Sequence, residues 1–357
     1  MSAGDRLVRG LAQEDGGPAV ESVRGDEGSR GPVVVSDGAY GGPAVESVRG
    51  DEGSRGPVVV SDGAYGGPAE VSARGDKESP VVVTRRAQGD PGRGRVLFLH
   101  GLSNSSAVWD ACVEHGRRAG GPEMWAADLP WRGRSVAGWS ARGDLVPYLG
   151  DALRAVPGGA TVVVAHSMGA NVLMEFLGRR IEEGLDPFTE FGVHGLVLVA
   201  PFYRRTAEEF DWASLAYSVD NMAPLIAEGI RVHAGDRAPR AARHHLAERI
   251  RDWVGPYGWM RFFEIYLRTP ALRLGGFTVP CLVLAGADDF AAPPAEGRAL
   301  ADGLPDAEFR LLPDCGHFLM IERARQFATL LDHFVSTCSA VRPHGGPGPG
   351  FPWEHDR

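Results

Sequence analysis

From residue 96 onward, short apolar runs alternate with longer segments whose apolar residues recur at helical spacing. The runs 96–99, 124–127, 161–165, 195–200, 281–285 and 308–312 are mostly Val, Leu and Ala and are too short for helices. They predict buried, mainly parallel strands. Between or after them, segments 145–153, 170–181, 292–301 and 321–334 predict helices. This alternation predicts an α/β fold with a mostly parallel central sheet flanked by helices. In such sheets ligands bind outside the carboxyl ends of the strands. The loops at those ends carry nearly all the chemically useful residues of this chain.

The rhythm breaks over residues 202–276. This stretch holds Trp212, Tyr217, Trp253, Tyr257, Trp259, Phe262, Phe263 and Tyr266 among helix-forming residues. It predicts a helical cap inserted in the domain, lying over the carboxyl edge of the sheet. Most of these aromatics are expected to pack the insertion against the core. Trp212, Trp253 and Trp259, with Trp109 and Trp131 from the loops below, are the candidates for lining an apolar pocket.

Upstream, residues 16–40 are repeated letter for letter as 41–65, and a diverged third copy starts at Gly66. Each unit offers one Val-Val-Val run as its apolar content, too little to offset the entropy of ordering 25 residues. Residues 1–79 are therefore expected to be a disordered leader and residues 80–341 the folded domain. The Gly/Pro-rich residues 342–357 are expected to be a disordered tail. The Val run at 81–83, continued by Thr84, and the run starting at Arg95 predict an opening hairpin.

Composition narrows the partners. Net charge is −9 and no basic stripe is present, which argues against nucleic acid or an anionic membrane as partner. Lys77 is the only lysine. No apolar stretch reaches transmembrane length, and residues 1–17 lack the apolar core of a secretion signal. Cys112, Cys281, Cys315 and Cys338 have the spacing of neither a metal site nor a disulfide framework. A cytoplasmic protein with no cofactor and no metal is the expectation.

The candidate chemistry centres on Ala165-His166-Ser167-Met168-Gly169, between a predicted strand and a predicted helix. A serine on such a turn projects its Oγ out of the sheet, above the positive end of the helix. Ser167 is the candidate nucleophile. His317, beside Gly316 and after the last strand, is the candidate base, because an imidazole takes and returns a proton near neutrality. The acid that orients it comes from Asp288-Asp289, with Asp289 preferred and Asp288 the alternative. The order Ser, Asp, His fits a hydrolase of the nucleophile-elbow type. The backbone N–H groups of Met168 and Leu102 are the candidate oxyanion donors. His100 and His166 sit at strand ends, where they are expected to orient loops.

These motifs resemble the α/β-hydrolase superfamily, and within it the lid-bearing serine esterase, lactonase and haloperoxidase-like group, over residues 80–338. The resemblance rests on His100-Gly101-Leu102, on the loop from Asp128 to Ser135, on the elbow around Ser167, on Gly286-Ala287-Asp288-Asp289, and on Gly316-His317. Trp131 and Ala165 stand where the family often has glycine. The resemblance implies attack by Ser167, with Asp289 as the acid, an acyl-enzyme, and hydrolysis by water activated by His317. It implies a small-molecule acyl substrate: an ester, lactone or thioester of an apolar or aromatic compound. The alternatives are a biosynthetic acyl transferase, cyclase or lyase of secondary metabolism using the same site, and a catalytically silent ligand-binding protein on the same scaffold.

Overall fold

The computed structural model describes residues 70–72, 81–117, 120–132, 139, 143–237 and 239–340. The exact repeats at 16–65 and the tail at 342–357 lie outside the described residues.

One eight-stranded sheet organises the described residues, in the order β1-β2-β4-β3-β5-β6-β7-β8. The strands are β1 (Glu70–Ser72), β2 (Val82–Ala87), β3 (Arg95–Leu99), β4 (Glu123–Asp128), β5 (Val162–His166), β6 (Gly195–Val199), β7 (Cys281–Gly286) and β8 (Ala307–Leu312). From β4 to β8 every neighbouring pair is parallel, while β1–β2 and β2–β4 are antiparallel. Every residue of β5 and β6 is buried. Consecutive burial means that both faces are covered, as the unbroken apolar runs require.

The opening hairpin does not form. β2 pairs with β4, and β3 lies between β4 and β5 as a central parallel strand. The Val run at 81–83 thus lies in the second strand from the sheet's edge, anchored by Arg85 against Glu123 (3.6 Å) and by Arg86 against Asp110. Three residues of the expected leader, Glu70–Ser72, extend that edge.

The helices are α1 (Asp110–Gly116), α2 (Pro147–Ala155), α3 (Met168–Glu182), α4 (Pro187–Phe191), α5 (Trp212–Asp220), α6 (Met222–Ala234), α7 (Arg240–Leu267), α8 (Pro294–Gly303), α9 (Leu319–Glu322) and α10 (Ala324–Ala340). Local chemistry sets their ends. Asp186 caps α4 by accepting from Phe188 N and Thr189 N, and Gly192 ends it in the left-handed region at φ 67°. Asp211 and Ser214 form a reciprocal capping box on α5. Gly255, at φ 59°, breaks α7 just before Pro256. Close packing holds α10 against β6, where a side chain at Gly195 would run into Cys338 and Phe334.

Helices α5, α6 and α7 all fall between β6 and β7, in the stretch where the strand rhythm lapsed. Both stems of this insertion are tied to α8. Glu296 accepts from Tyr203 N (2.8 Å) on the entry side and from Tyr266 Oη (2.8 Å) on the exit side, and Arg204 pairs with it at 3.1 Å. Burial pushes the Glu296 carboxyl above the usual carboxylate range. Among the described residues, no helix is long and apolar enough to cross a membrane.

Candidate active site

Ser167 stands between the last residue of β5 and the first of α3. Its backbone has φ 55° and ψ −129°, a conformation that L-residues avoid and that costs about 1–3 kcal/mol. Its N–H is held by Val199 O at 2.8 Å. The turn is possible because its neighbours are small. A Cβ at Gly169 would sit 2.5 Å from His100 O, and one at Gly101 would sit 2.9 Å from Ser167 Cβ. The chain segments ending β3 and β5 therefore pack so closely that neither glycine position has room for a side chain.

His317 follows β8 and precedes α9. Its Nε2 lies 2.9 Å from Ser167 Oγ, and its Nδ1 lies 2.7 Å from Asp289 Oδ2. The other carboxylate oxygen, Asp289 Oδ1, accepts from Ala291 N and Ala292 N, each at 2.9 Å. An ionised carboxylate only accepts, so Nδ1 carries the proton and Nε2 offers its lone pair to the serine hydroxyl. Asp289 and His317 are both buried. Asp288 is exposed and points elsewhere, its N–H donating to Cys315 O at 3.0 Å. Of the two aspartates, only Asp289 meets the imidazole.

Met168 opens α3, so its N–H has no acceptor within the helix. In the loop after β3, Ser103 N donates to Trp131 O (2.9 Å) and Asn104 N to Gly101 O (3.3 Å). Among the described residues, no acceptor takes the Leu102 N–H.

Two further histidines shape the surroundings. His100 Nε2 accepts from Leu129 N at 2.9 Å, so Nδ1 bears the proton and donates to Gly101 O at 2.8 Å. Burial lowers its pKa to about 4, and the ring is neutral. His166 is also held well below its ordinary range by burial, and its Nε2–H donates to His317 O at 3.0 Å. Both orient loops through the main chain, as their strand-end positions suggested.

The five tryptophans divide. Trp109 is fully buried, packed on Phe98 (ring centroids 5.0 Å apart) and Phe327 (6.0 Å), with an edge toward His166 (6.4 Å). It is core rather than pocket wall. Trp131 is also fully buried, and its Nε1–H donates to His100 O at 3.2 Å, locking one loop onto another. Trp259 stacks among Phe262 and Phe263. Trp212 is 87% exposed and Trp253 47% exposed. Neither lines an enclosed pocket: α5 has no buried residue, and Trp253 lies under the guanidinium of Arg249.

Beyond the His166 ring, whose centroid lies 4.8 Å away, the rings nearest the imidazole are two phenyl rings the sequence left unmarked. Phe318 and Phe202 have centroids 5.4 and 6.0 Å from that of His317. Phe318 follows the histidine directly, and Phe202 opens the insertion; those positions were the available signal.

Comparison with known proteins bears on the family and the fold. A family model described as "Alpha/beta hydrolase family" matches residues 96–330. A protein of Variovorax paradoxus named "Putative carbamate hydrolase RutD" is 29% identical over 271 residues, covering 69% of this chain and 92% of that one. A protein of Mycobacterium tuberculosis named "Putative non-heme bromoperoxidase BpoC" is 37% identical over 73 residues, 20% of this chain; the match spans only 27% of that relative's length. Among solved structures, one titled as a putative lipase from Acinetobacter baumannii superposes with a TM-score of 0.57 at 15% identity, covering 77% of this chain and 93% of the other. That likeness speaks to the fold alone.

Proposed function

The chain belongs to the alpha/beta hydrolase family, and from that premise we propose that it is a serine-dependent hydrolase of small acyl compounds, working through Ser167, His317 and Asp289. The observation that carries this reading is the unbroken relay of hydrogen bonds, 2.9 Å from Ser167 Oγ to His317 Nε2 and 2.7 Å from His317 Nδ1 to Asp289 Oδ2. In this reading His317 accepts the Ser167 proton as Oγ attacks the acyl carbon. The oxyanion is received by the N–H groups of Met168 and Leu102. His317 then returns the proton to the leaving group. Water, activated by the same imidazole, releases the acyl group from Ser167. Asp289 stays ionised throughout and holds the tautomer.

Esters, lactones and thioesters all fit this chemistry. Phe202 and Phe318 beside the imidazole support an apolar or aromatic acyl portion. The Variovorax relative's name adds carbamates to the substrates worth testing. The insertion over residues 202–276 serves as a cap in this reading. Its residues reach the site's loops, with Tyr217 Oη donating to Phe290 O (3.1 Å) and Gly229 packed on the Phe318 ring. The four cysteines are free and buried, which fits the cytoplasmic residence we propose.

The test is a panel of short- and long-chain p-nitrophenyl esters, with a carbamate analogue, given to the wild type and to Ser167→Ala. Intact mass after a fluorophosphonate reports the covalent adduct. One adduct and turnover, both lost in the variant, are expected. Adduct formation without ester turnover would replace hydrolysis by acyl transfer to an acceptor other than water. Neither adduct nor turnover would sink the serine mechanism and leave a ligand-binding role.

A further inference from the structure

Ser167 and Asp289 hold His317 only by its side chain. Its main chain belongs to an irregular loop, 313–318, between β8 and α9, which includes Asp314 at φ 47° and the side-chain-free Gly316. A loop of this kind positions an imidazole only as well as its backbone is held.

One side chain holds both flanks of His317. Glu322 Oε1 accepts from Gly316 N and from Phe318 N, each at 3.2 Å, and Oε2 lies 3.2 Å from the same Gly316 N. The two N–H groups on either side of the histidine thus converge on one carboxylate. Glu322 can reach them because α9 is only four residues long and Glu322 is its last, so the carboxylate folds back over the helix's own start. Among the described residues no cation forms an ion pair with it, so these N–H groups are its partners. The carbonyl ends of the same two peptides are held as well, and Arg323 holds the start of the loop. His166 Nε2–H takes His317 O at 3.0 Å, and Asp288 N takes Cys315 O at 3.0 Å. Arg323 takes Pro313 O at 3.2 Å and Asp314 O at 2.7 Å. Of all these groups, only Glu322 spans the histidine, joining the 315–316 peptide to the 317–318 peptide through their N–H groups. The charged acceptor makes these bonds stronger than neutral ones.

We infer that Glu322 is the positioning residue of His317: its carboxylate ties the 315–316 peptide to the 317–318 peptide across the histidine, and so places Nε2 against Ser167 Oγ. The inference rests on the reading of Ser167, His317 and Asp289 as the reacting groups. A 1 Å misplacement of a catalytic group costs on the order of a hundredfold in rate, and this loop has no regular hydrogen-bonding of its own to prevent one.

The experiment uses the full chain with Glu322→Ala and Glu322→Gln. The competent fraction is titrated with the fluorophosphonate, and kcat and KM are then measured per competent site on a p-nitrophenyl ester that the wild type hydrolyses. For Glu322→Ala, kcat should fall roughly 10- to 100-fold with KM changed less than about threefold. Glu322→Gln should recover most of that loss, because an amide oxygen placed at the Oε1 position takes both N–H groups. A role in folding alone would lower the competent fraction and the melting temperature but leave per-site kcat untouched, and that result overturns the inference. Equal losses in the two variants overturn it as well. A second readout does not depend on turnover. The His317 Nδ1–H proton, shared with Asp289, gives a low-field NMR signal identified by its absence in His317→Gln. In Glu322→Ala that signal should broaden or shift; an unchanged signal overturns the inference. If the wild type gives neither adduct nor turnover, the serine mechanism has failed, and the NMR signal alone decides whether Glu322 positions the ring.

Discussion

The loops at the carboxyl edge of the sheet and the helical insertion that contacts them are built on opposite principles. In the loops, His100, His166, Asp289 and His317 are all buried, and each reaches a partner on a different segment. The insertion leaves Trp212 87%, Tyr257 73% and Met260 64% exposed, and α5 buries no residue at all. Its stems are clasped firmly through Glu296, yet its middle meets the acid loop through one hydrogen bond from Tyr217 to Phe290. The contrast separates chemistry from access. Groups that must hold a geometry to a few tenths of an ångström sit where the backbone is cross-linked. Groups that only need to meet an apolar compound sit where little resists their movement.

The largest effects should come from the cross-linked side. Ser167→Ala should lower kcat by roughly a million-fold, the scale at which loss of a serine nucleophile leaves only background catalysis. Circular dichroism and melting should show an intact fold, with the strained backbone at Ser167 unchanged. Asp289→Asn should follow at about ten-thousandfold, because the amide favours the wrong imidazole tautomer. Asp288→Asn should have little effect, since that carboxylate is exposed and only its N–H is used. If the two asparagine variants exchanged effects in steady-state assays, the hydrogen-bond assignment at His317 would be wrong.

Stability separates the regions as well. Trp109→Ala should destabilise by about 3–5 kcal/mol in urea unfolding, because it empties a closed site between Phe98 and Phe327. The buried histidines predict an acid limb. Burial holds His100 down at about 4 in the folded protein, below the ordinary histidine value of about 6.5 in an unfolded chain. Between those values the unfolded chain binds more protons, so stability is full above pH 6.5 and declines as pH falls toward 4. The slope is at most about 1.4 kcal/mol per pH unit for this group. His166 and His233 are shifted the same way by burial, whereas burial raises Asp110 and Glu296, which work in the opposite sense. Unfolding midpoints from pH 7.5 to 5 should show a shallower acid limb in His100→Gln. An unaltered limb would mean that His100 does not stay neutral in the folded protein.

What was legible in the sequence follows from the same division. Six parallel strands could be read to within two residues: in β3, β5, β6 and β7 burial leaves nearly unbroken apolar runs, a signal that needs no partner to interpret, whereas β8, with Glu308 and Arg310 and only its last residue buried, was legible mainly from its place in the strand–helix alternation. The position of Ser167 was legible because strand, turn and helix are contiguous. The hairpin was misread because two adjacent apolar runs look alike whether they pair with each other or with a third; only Arg85 and Arg86, which meet Glu123 and Asp110, mark β2 as lying beside β4. The tryptophans were illegible for a different reason. A tryptophan in a helix reads the same whether its partner is core, substrate or solvent, and side-chain burial depends on segments far away in the chain. Glu322 escaped notice because its partners are backbone N–H groups, which leave no trace in residue identity.

The smallest expected effect makes the sharpest test of the contrast. Trp212→Ala should change stability by no more than about 0.5 kcal/mol, because an 87% exposed ring loses little when truncated. Its effect on turnover depends on whether α5 meets the substrate. In the cap reading proposed above, α5, tied to the acid loop through Tyr217, borders the path of a long acyl chain and lies beyond the reach of an acetyl group. KM for long-chain esters should therefore rise severalfold and KM for acetyl esters should stay put, with kcat unchanged for both. A loss of kcat common to all chain lengths would mean that the insertion helps to hold the reacting groups, and the separation of chemistry from access would fail at that helix.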